Sequence, residues 1–183
     1  MTSLNVELGS KRLELLHELV PTATNFALLF NQTNSALAEA LTRDVQAAGG
    51  RLGLQIHVLH AGTERELDTV FATLAQLRAG GLVIGADPFL TGRIELLAAL
   101  ALRHAVPAAF QYHEYAAAGG LMSYGGSVTD SSHQAGIYAG RILKGEKPTE
   151  LPVVQTAKVE LINLKTAKAL GITVPQALLA RTR

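Results

Sequence analysis

The 183-residue chain has no cysteine and no tryptophan, and aromatic residues make up only 5% of it. Without cysteine there are no disulfides, no thiolate nucleophile and no cysteine-ligated zinc. Charge of one sign is also lacking. Sixteen Lys and Arg against fifteen Asp and Glu leave a formal net charge of +1. The charges are interspersed, so no basic stripe exists to neutralise phosphates, which argues against nucleic acid as a partner. Long hydrophobic runs are absent too. The stretch from Ile94 to Leu102 contains Glu95 and sits between Arg93 and Arg103, far short of the roughly 20 apolar residues that span a bilayer. Met1 to Glu7 has neither a basic start nor an apolar run, so no signal peptide is expected in it.

What is present points to an α/β fold. Hydrophobic residues reach 48%, with Ala and Leu foremost, which suits amphipathic helices better than an all-β chain. The length allows one α/β domain, or one domain plus a piece of another. Strand-like runs recur at Phe26–Phe30, Leu54–Leu59, Leu82–Ile84 and Val106–Phe110, and the first three start 28 residues apart. Leu37, Leu41, Val45 and Ala48 share a face of an intervening helix that should stop at Gly49-Gly50. Thr63-Glu64-Arg65-Glu66 reads as a capping box. It opens a helix carrying Leu67, Val70, Phe71, Leu74 and Leu77, with a stop at Gly80-Gly81. Asp87-Pro88 offers a cap with Pro at the first helical position of a third helix. Arg103 and His104 close that helix and complement its dipole. A helix from about Ser10 to Val20, with Leu13, Leu16 and Leu19 or Val20 buried, precedes the array.

Strands joined by helices of this length must be parallel, with right-handed crossovers. The expectation is a doubly wound parallel sheet with strands near 26–30, 54–59, 82–85 and 106–110. After Phe110 the rhythm changes. Gln111 to Gly126 is rich in Gly, Ala and Tyr, and Thr129 or Asp130 caps a helix running to Lys144-Gly145. A strand-like Val159–Ile162 and a helix from Leu164 to Leu170, ended by Gly171, follow. This tail reads as a chain leaving the four-strand array to help build a second lobe.

Ligands of open parallel sheets sit at the carboxyl ends of the strands, where helix N-termini present free N–H groups. The loops there place Asn31, Thr33, Asn34, Asp87, Gln111 and Tyr112 along one edge, and these are the candidate ligand-binding residues. Asn31 to Asn34 suits a carboxylate or small polar ligand, and Asp87 an ammonium group. Plain helix capping accounts for Asn31, Thr33, Asn34 and Asp87 equally well. Tyr112 and Tyr115 could wall an apolar pocket or simply pack. Catalysis has little support. His57 and His60 turn to opposite faces of a strand and do not make a shared metal site. No nucleophile elbow, Walker loop or dinucleotide fingerprint occurs. His113-Glu114 is the one acid–base pair to watch. No cofactor and no metal are expected.

Several motifs resemble a family of ABC transporter substrate-binding proteins that includes tryptophan and tyrosine binders. Lys11-Arg12-Leu13-Glu14-Leu15-Leu16 with Val20-Pro21 is similar to the helix entering the family's second lobe. Leu29-Phe30-Asn31 with Asn34-Ser35 is similar to its strand, Asn-containing loop and helix start. Leu121-Met122-Ser123-Tyr124-Gly125, Ala139-Gly140-Arg141-Ile142-Leu143-Lys144-Gly145 and Lys147-Pro148 match further on. The most diagnostic run is Ile162-Asn163-Leu164-Lys165-Thr166-Ala167-Lys168-Ala169-Leu170-Gly171. The resemblance covers nearly the whole chain and corresponds to the later portion of the family's longer members.

The resemblance implies a periplasmic-binding-protein type I-like fold, with two lobes that close on a ligand. Residues 20–112 would form the second lobe, and residues 1–19 and 113–183 would belong to an incomplete first lobe. The function implied is the non-enzymatic solute-binding component of an ABC importer. Its partners are a small molecule, such as an amino acid or related carboxylate, and a membrane permease. It would be periplasmic or lipid-anchored outside the cytoplasm. The loops at Ala86 to Phe89 and Phe110 to His113 lack the small Asp, Ser and Thr run of the aromatic-amino-acid binders. The alternative is a flavodoxin-like α/β enzyme or signalling domain, although Asn31-Gln32 is not the acidic cluster a receiver domain wants. With Leu121, Ile137, Ile142, Leu161 and Ile162 expected to lack cover, the expected state of the chain alone is a homodimer, with or without exchanged tails, or else a poorly ordered tail.

Overall fold

The computed structural model describes residues 8–31, 35–152 and 159–180. Six strands form one sheet: β1 (Asn25–Phe30), β2 (Gln55–His60), β3 (Gly81–Ile84), β4 (Ala108–Phe110), β5 (Met122–Gly125) and β6 (Val159–Ile162). Their spatial order is β2-β1-β3-β4-β5-β6. β1 pairs in parallel with β2 and β3, β3 with β4, and β4 with β5, whereas β6 runs antiparallel to β5. The four predicted strands are present and parallel. β4 begins later than predicted, at Ala108, since Pro107 has no N–H for the ladder. The Pro107 carbonyl still accepts from the Leu82 N–H at 2.8 Å.

The helices are α1 (Gly9–Leu19), α2 (Ser35–Leu52), α3 (Glu64–Gln76), α4 (Pro88–Thr91), α5 (Ile94–Arg103), α6 (His113–Ala117), α7 (Val128–Leu143), α8 (Leu164–Ala169) and α9 (Gln176–Leu179). Alternation along the strands sorts the core into two layers. Ala27 and Leu29 of β1 face Leu67, Phe71 and Leu74 of α3 and Leu97 and Leu100 of α5. Phe26 and Leu28 face the other way, toward Leu13 and Leu16 of α1 and Leu41 and Val45 of α2. Both faces of the central strands are covered, which is why β3 reads as an unbroken apolar run.

Two helix ends differ from the sequence expectation. α2 does not stop at Gly49-Gly50. A Cβ on Gly49 would lie 2.5 Å from the Ile56 side chain, so this glycine lets the helix lie close on β2. The stop is Gly53, at φ +70°. α3 ends at Gln76, before Gly80-Gly81, and the chain turns at Arg78 with φ +49°. The third predicted helix is broken in two at Gly92-Arg93. The predicted capping box is there: the Thr63 hydroxyl accepts from the Glu66 N–H, and the Glu66 carboxylate accepts from the Thr63 N–H.

The tail after Phe110 also differs. It does not leave the array, because β5 and β6 extend the same sheet and α8 and α9 pack under it. Leu121, Met122, Ala167 and Leu178 are all buried there. The free edge of β4 leaves backbone donors and acceptors that β5 satisfies. Leu121 therefore has cover, contrary to expectation, and Ile162 packs against the same layer.

One segment does depart. Between Gly126 and Pro152 the chain makes an excursion built on α7, a 16-residue helix with no buried residue. The outward side of its C-terminal half is small and apolar: Ala135, Gly136, Ile137, Ala139, Ile142 and Leu143 are exposed, Leu143 at 88%, while its first turns expose Thr129, Asp130, Ser132 and His133. Ser131, Gln134, Tyr138 and Arg141 are half-buried instead. That is the reverse of a surface helix, which turns its apolar stripe to the core. The excursion is tied to itself by the Tyr138 hydroxyl on the Pro152 carbonyl and by the Arg141–Glu146 ion pair.

The turn between α6 and β5 offers a stability test. A Cβ on Gly120 would sit 2.2 Å from the fully buried Tyr115 ring, which packs edge-on against Phe110. We expect Gly120→Ala to cost about 1–3 kcal/mol through overpacking, read as a lower urea midpoint with unchanged slope. An unshifted midpoint would show that the ring can move aside.

Candidate functional site at the carboxyl edge of the sheet

Three βα loops converge where β1, β2 and β3 end. The Ala61 N–H bonds the Phe30 carbonyl at 3.1 Å, and the Gly85 N–H bonds the Leu29 carbonyl at 2.7 Å. These bonds carry the ladder to the edge and bring the following residues side by side. The Asn31 Nδ2 donates to Asp87 Oδ1 at 3.3 Å across 56 positions of sequence. Gly62 belongs to the same junction, since a Cβ there would lie 3.3 Å from Asn31 Oδ1. Asn31 and Asp87 are both buried, 9% and 8% exposed.

Asp87 also caps α4. Its Oδ1 accepts from the Phe89 N–H at 2.8 Å and the Leu90 N–H at 3.2 Å. All three donors meet on one oxygen, and Oδ2 receives none of them. The capping bonds thus occupy a single oxygen of the carboxylate.

Gln111 follows β4 and is 1% exposed, with its Oε1 buried and lacking a donor. A buried acceptor left unpaired is costly, so Gln111 is the polar group at this edge most in need of a partner. Tyr112 is half-buried and packs its ring edge-on to Phe110, with centroids 5.9 Å apart. Tyr115 does not wall a pocket. It is fully buried in the core, and burial pushes its phenol pKa up. Thr33 and Asn34 lie outside the described residues.

Arg12 of α1 comes to this end of the layer from beneath and is fully buried. Burial pushes its pKa down to about 10, against the opposing charges of Asp44 and Tyr112. Asp44 in turn accepts from the Ser10 N–H at 2.8 Å. A cavity of about 470 Å³ opens elsewhere, between α3, α5 and α6, lined among others by Glu64, Arg93, Glu95 and Glu114. None of the candidate residues lines it. Among the described lining residues its one cation is engaged, with Arg93 3.0 Å from Glu64 and stacked 4.1 Å over the Phe89 ring.

The His113-Glu114 pair has a structural explanation. Glu114 Oε1 accepts from the Ser127 hydroxyl at 2.8 Å and the Thr129 N–H at 3.1 Å. Ser127, not Thr129 or Asp130, is the N-cap of α7, accepting from the Asp130 N–H at 3.0 Å. Burial pushes the Glu114 carboxyl up. Hydrogen bonds from Thr129, its own N–H and Ser127, with the charge of His113, outweigh this and leave its pKa below the ordinary carboxylate value. A depressed carboxylate stabilises above its unfolded pKa, and that contribution is lost as pH falls through the folded one. The Thr129 amide signal should therefore move with a midpoint below the ordinary carboxylate value as pH falls, as followed by NMR. A midpoint above the ordinary carboxylate range would reverse the assignment.

The match to a model of known sequence families decides the identity of the fold. Residues 2–183 match the ABC transporter substrate binding protein family. The chain belongs to that family. Solved structures agree on the fold. A conserved domain protein from Vibrio cholerae is similar at TM-score 0.79 and 23% identity, over 95% of this chain and 58% of that one. A Streptococcus pneumonia ABC domain in complex with L-Trp is similar at 0.78 and 20% identity, over 95% and 60%. An Actinobacillus succinogenes periplasmic solute binding protein with bound D-allose is similar at 0.61 and 13%, over 91% and 61%. The search of curated proteins finds no match. The chain spans about three fifths of the length of the solved structures it resembles. The fold is the type I-like periplasmic-binding-protein architecture, α/β with a mainly parallel sheet.

Within this family fold, the edge brings together Asn31 and Asp87 in direct contact, with Gln111 and Tyr112 following β4 on the same edge. Sequence reasoning put the loop of Gly62 at this edge without the role of its missing Cβ, and it missed Arg12. The glycine carries no chemistry of its own, and a lone arginine in an amphipathic helix reads as a solvated residue. It gave no structural role to Glu114 either, because its partners Ser127 and Thr129 are distant in sequence. Among the described residues no group of three or more His, Asp or Glu could hold a metal ion. No described helix is long and apolar enough to cross a membrane.

Proposed function

We propose that this chain supplies one lobe of a solute-binding component of an ABC importer, capturing a small molecule at the edge that carries Asn31, Asp87, Gln111 and Tyr112. Thr33 and Asn34, in the loop after Asn31, are proposed members of the same site. The observation that supports the reading is the convergence of the β1, β2 and β3 loops on the Asn31–Asp87 contact in this family's fold. The Oε1 of Gln111 is a buried acceptor without a donor among the described residues, and the Asp87 Oδ2 accepts none of the three bonds that meet on Oδ1, so the ligand offers N–H or O–H donors. An amino acid or a related small carboxylate bearing an amine fits. The L-Trp and D-allose complexes of the structural neighbours are both ligands rich in donors.

The excursion on α7 supports a two-lobed arrangement. Its small, apolar outward side fits against a second lobe, which is what the extra length of the solved relatives would supply. In this proposal the excursion of residues 126–152 crosses over, and 8–125 with 159–180 stay with the lobe described. Ligand bridging the lobes favours closure by the contacts it makes only in the closed state, and a membrane permease receives the closed form outside the cytoplasm. The protein performs no chemistry on its ligand. A thermal-shift screen against amino acids, small carboxylates and sugars tests this reading. A rise in melting temperature with one class, removed by substitutions at Asn31 and Asp87, is the expected result. A shift with none of them, in a protein carrying both lobes, would overturn it.

A further inference from the structure

We infer that Glu114 is a positioning residue that latches α7 in one direction on the sheet. Two segments meet at this point. One leaves β4 through Gln111 and Tyr112 into α6, and the other leaves β5 through Gly126 into α7. The His113 N–H donates to the Gly126 carbonyl at 3.2 Å, tying the two backbones. Glu114 adds a second tie from a different position: its Oε1 takes the Ser127 hydroxyl and the Thr129 N–H together. One bond would leave α7 free to swing about it. Three attachments on two neighbouring turns fix a direction.

The geometry separates this role from ordinary capping. Ser127 already caps α7 through the Asp130 N–H, so the helix keeps its own start without Glu114. What Glu114 supplies is a bond from another element, 13 to 15 positions away in sequence. Because α7 has no fully buried residue, its half-buried side holds it less firmly than a core-packed stripe would, and the latch adds direction to it. The negative carboxylate also lies at the positive end of the α7 dipole, which strengthens the bonds it accepts. Resting on the proposed function, the latch sets the angle between this lobe and the one α7 supports, and so the reach of closure.

The chain has no cysteine, so two introduced thiols are the only spin-label sites. Lys144→Cys at the end of α7 and Leu102→Cys on α5, both exposed, report the direction of α7 in double electron–electron resonance. Labelled protein is diluted with unlabelled protein to remove distances between copies. The parent pair is expected to give one narrow distance peak. In Glu114→Gln the peak should broaden at least twofold while far-UV circular dichroism is unchanged. Glu114→Asp, which keeps the charge but shortens the reach, should broaden it in the same direction, and serves if the first variant folds poorly. An unchanged peak in these variants overturns the latch, as does a broad peak in the parent. Broadening accompanied by loss of helix content overturns it too, because Glu114 would then be only a cap. The distances need no ligand, so failure of the ligand screen leaves this result standing, and the reverse holds as well.

Discussion

In sedimentation velocity above micromolar concentration, the 183-residue chain is expected to run at twice its 19.3 kDa mass, as a homodimer held through α7. Sixteen residues make about 24 Å of helix, and an isolated helix of that length is marginal in water. α7 has no buried residue to stabilise it, yet Ile137, Ile142 and Leu143 are 42%, 41% and 88% exposed. Gly136 and Gly140 have open space where a Cβ would be, so another helix can approach closely there. In the chain on its own, the surface that matches a small apolar stripe is the same stripe on a second copy, in a two-fold arrangement. One helix pair buries an area at the low end of stable interfaces, so the dimer should dissociate on dilution. Replacing Ile137 and Leu143 together by Glu should give a monomer whose melting temperature, measured at low protein concentration, barely changes. A parent chain that stays monomeric throughout would remove the docking role of this face.

The second large effect is expected at Asp87. Asp87→Ala removes the acceptor of the Phe89 and Leu90 N–H groups, and with it the 3.3 Å bond from the Asn31 amide. We expect a stability loss of about 1–2 kcal/mol, typical of a lost N-cap. Binding of the best metabolite from the thermal-shift screen should fall by a further 1–3 kcal/mol, about 5- to 150-fold in dissociation constant. Asp87→Ser separates the two roles, because serine caps nearly as well as aspartate but has no carboxylate. Stability close to the parent with weakened binding is the expected pattern, read by calorimetry in a protein carrying both lobes. Affinity equal to the parent in the serine variant would make Asp87 a cap alone. Asn31→Ala should lower affinity in the same range.

The positions of the four parallel strands, the Thr63–Glu66 box and the Asp87 cap could be read from the sequence because each is local. A strand announces itself by a run of apolar residues, and a cap by the residue next to its own helix. The fate of β5 was not local. Leu121–Tyr124 reads as a strand-like run between two glycine pairs, but its four residues in the sheet include Ser123, which is fully buried, so no alternation told which layer it would join. Whether it joined this sheet depended on the free edge of β4, a feature of the assembled layers. The same holds for α7. Its composition suggests an ordinary amphipathic helix, and only its placement shows the apolar side turned outward.

The candidate site divides in the same way. Strand ends in a parallel array must share one edge, so the sequence by itself placed Asn31, Asp87, Gln111 and Tyr112 together in a general way, and its family motifs named the fold. Contact was decided by the tertiary structure alone. The register of β1 against β3 sets Asn31 on Asp87 Oδ1, and Gly62 leaves the room for it. Glu114 acquired a role because β4 and β5 are neighbours, which brings the Ser127 hydroxyl and the Thr129 N–H within bonding distance. Those partners are separated along the chain, and a hydrogen bond is decided by a few tenths of an ångström that no spacing rule in the sequence records.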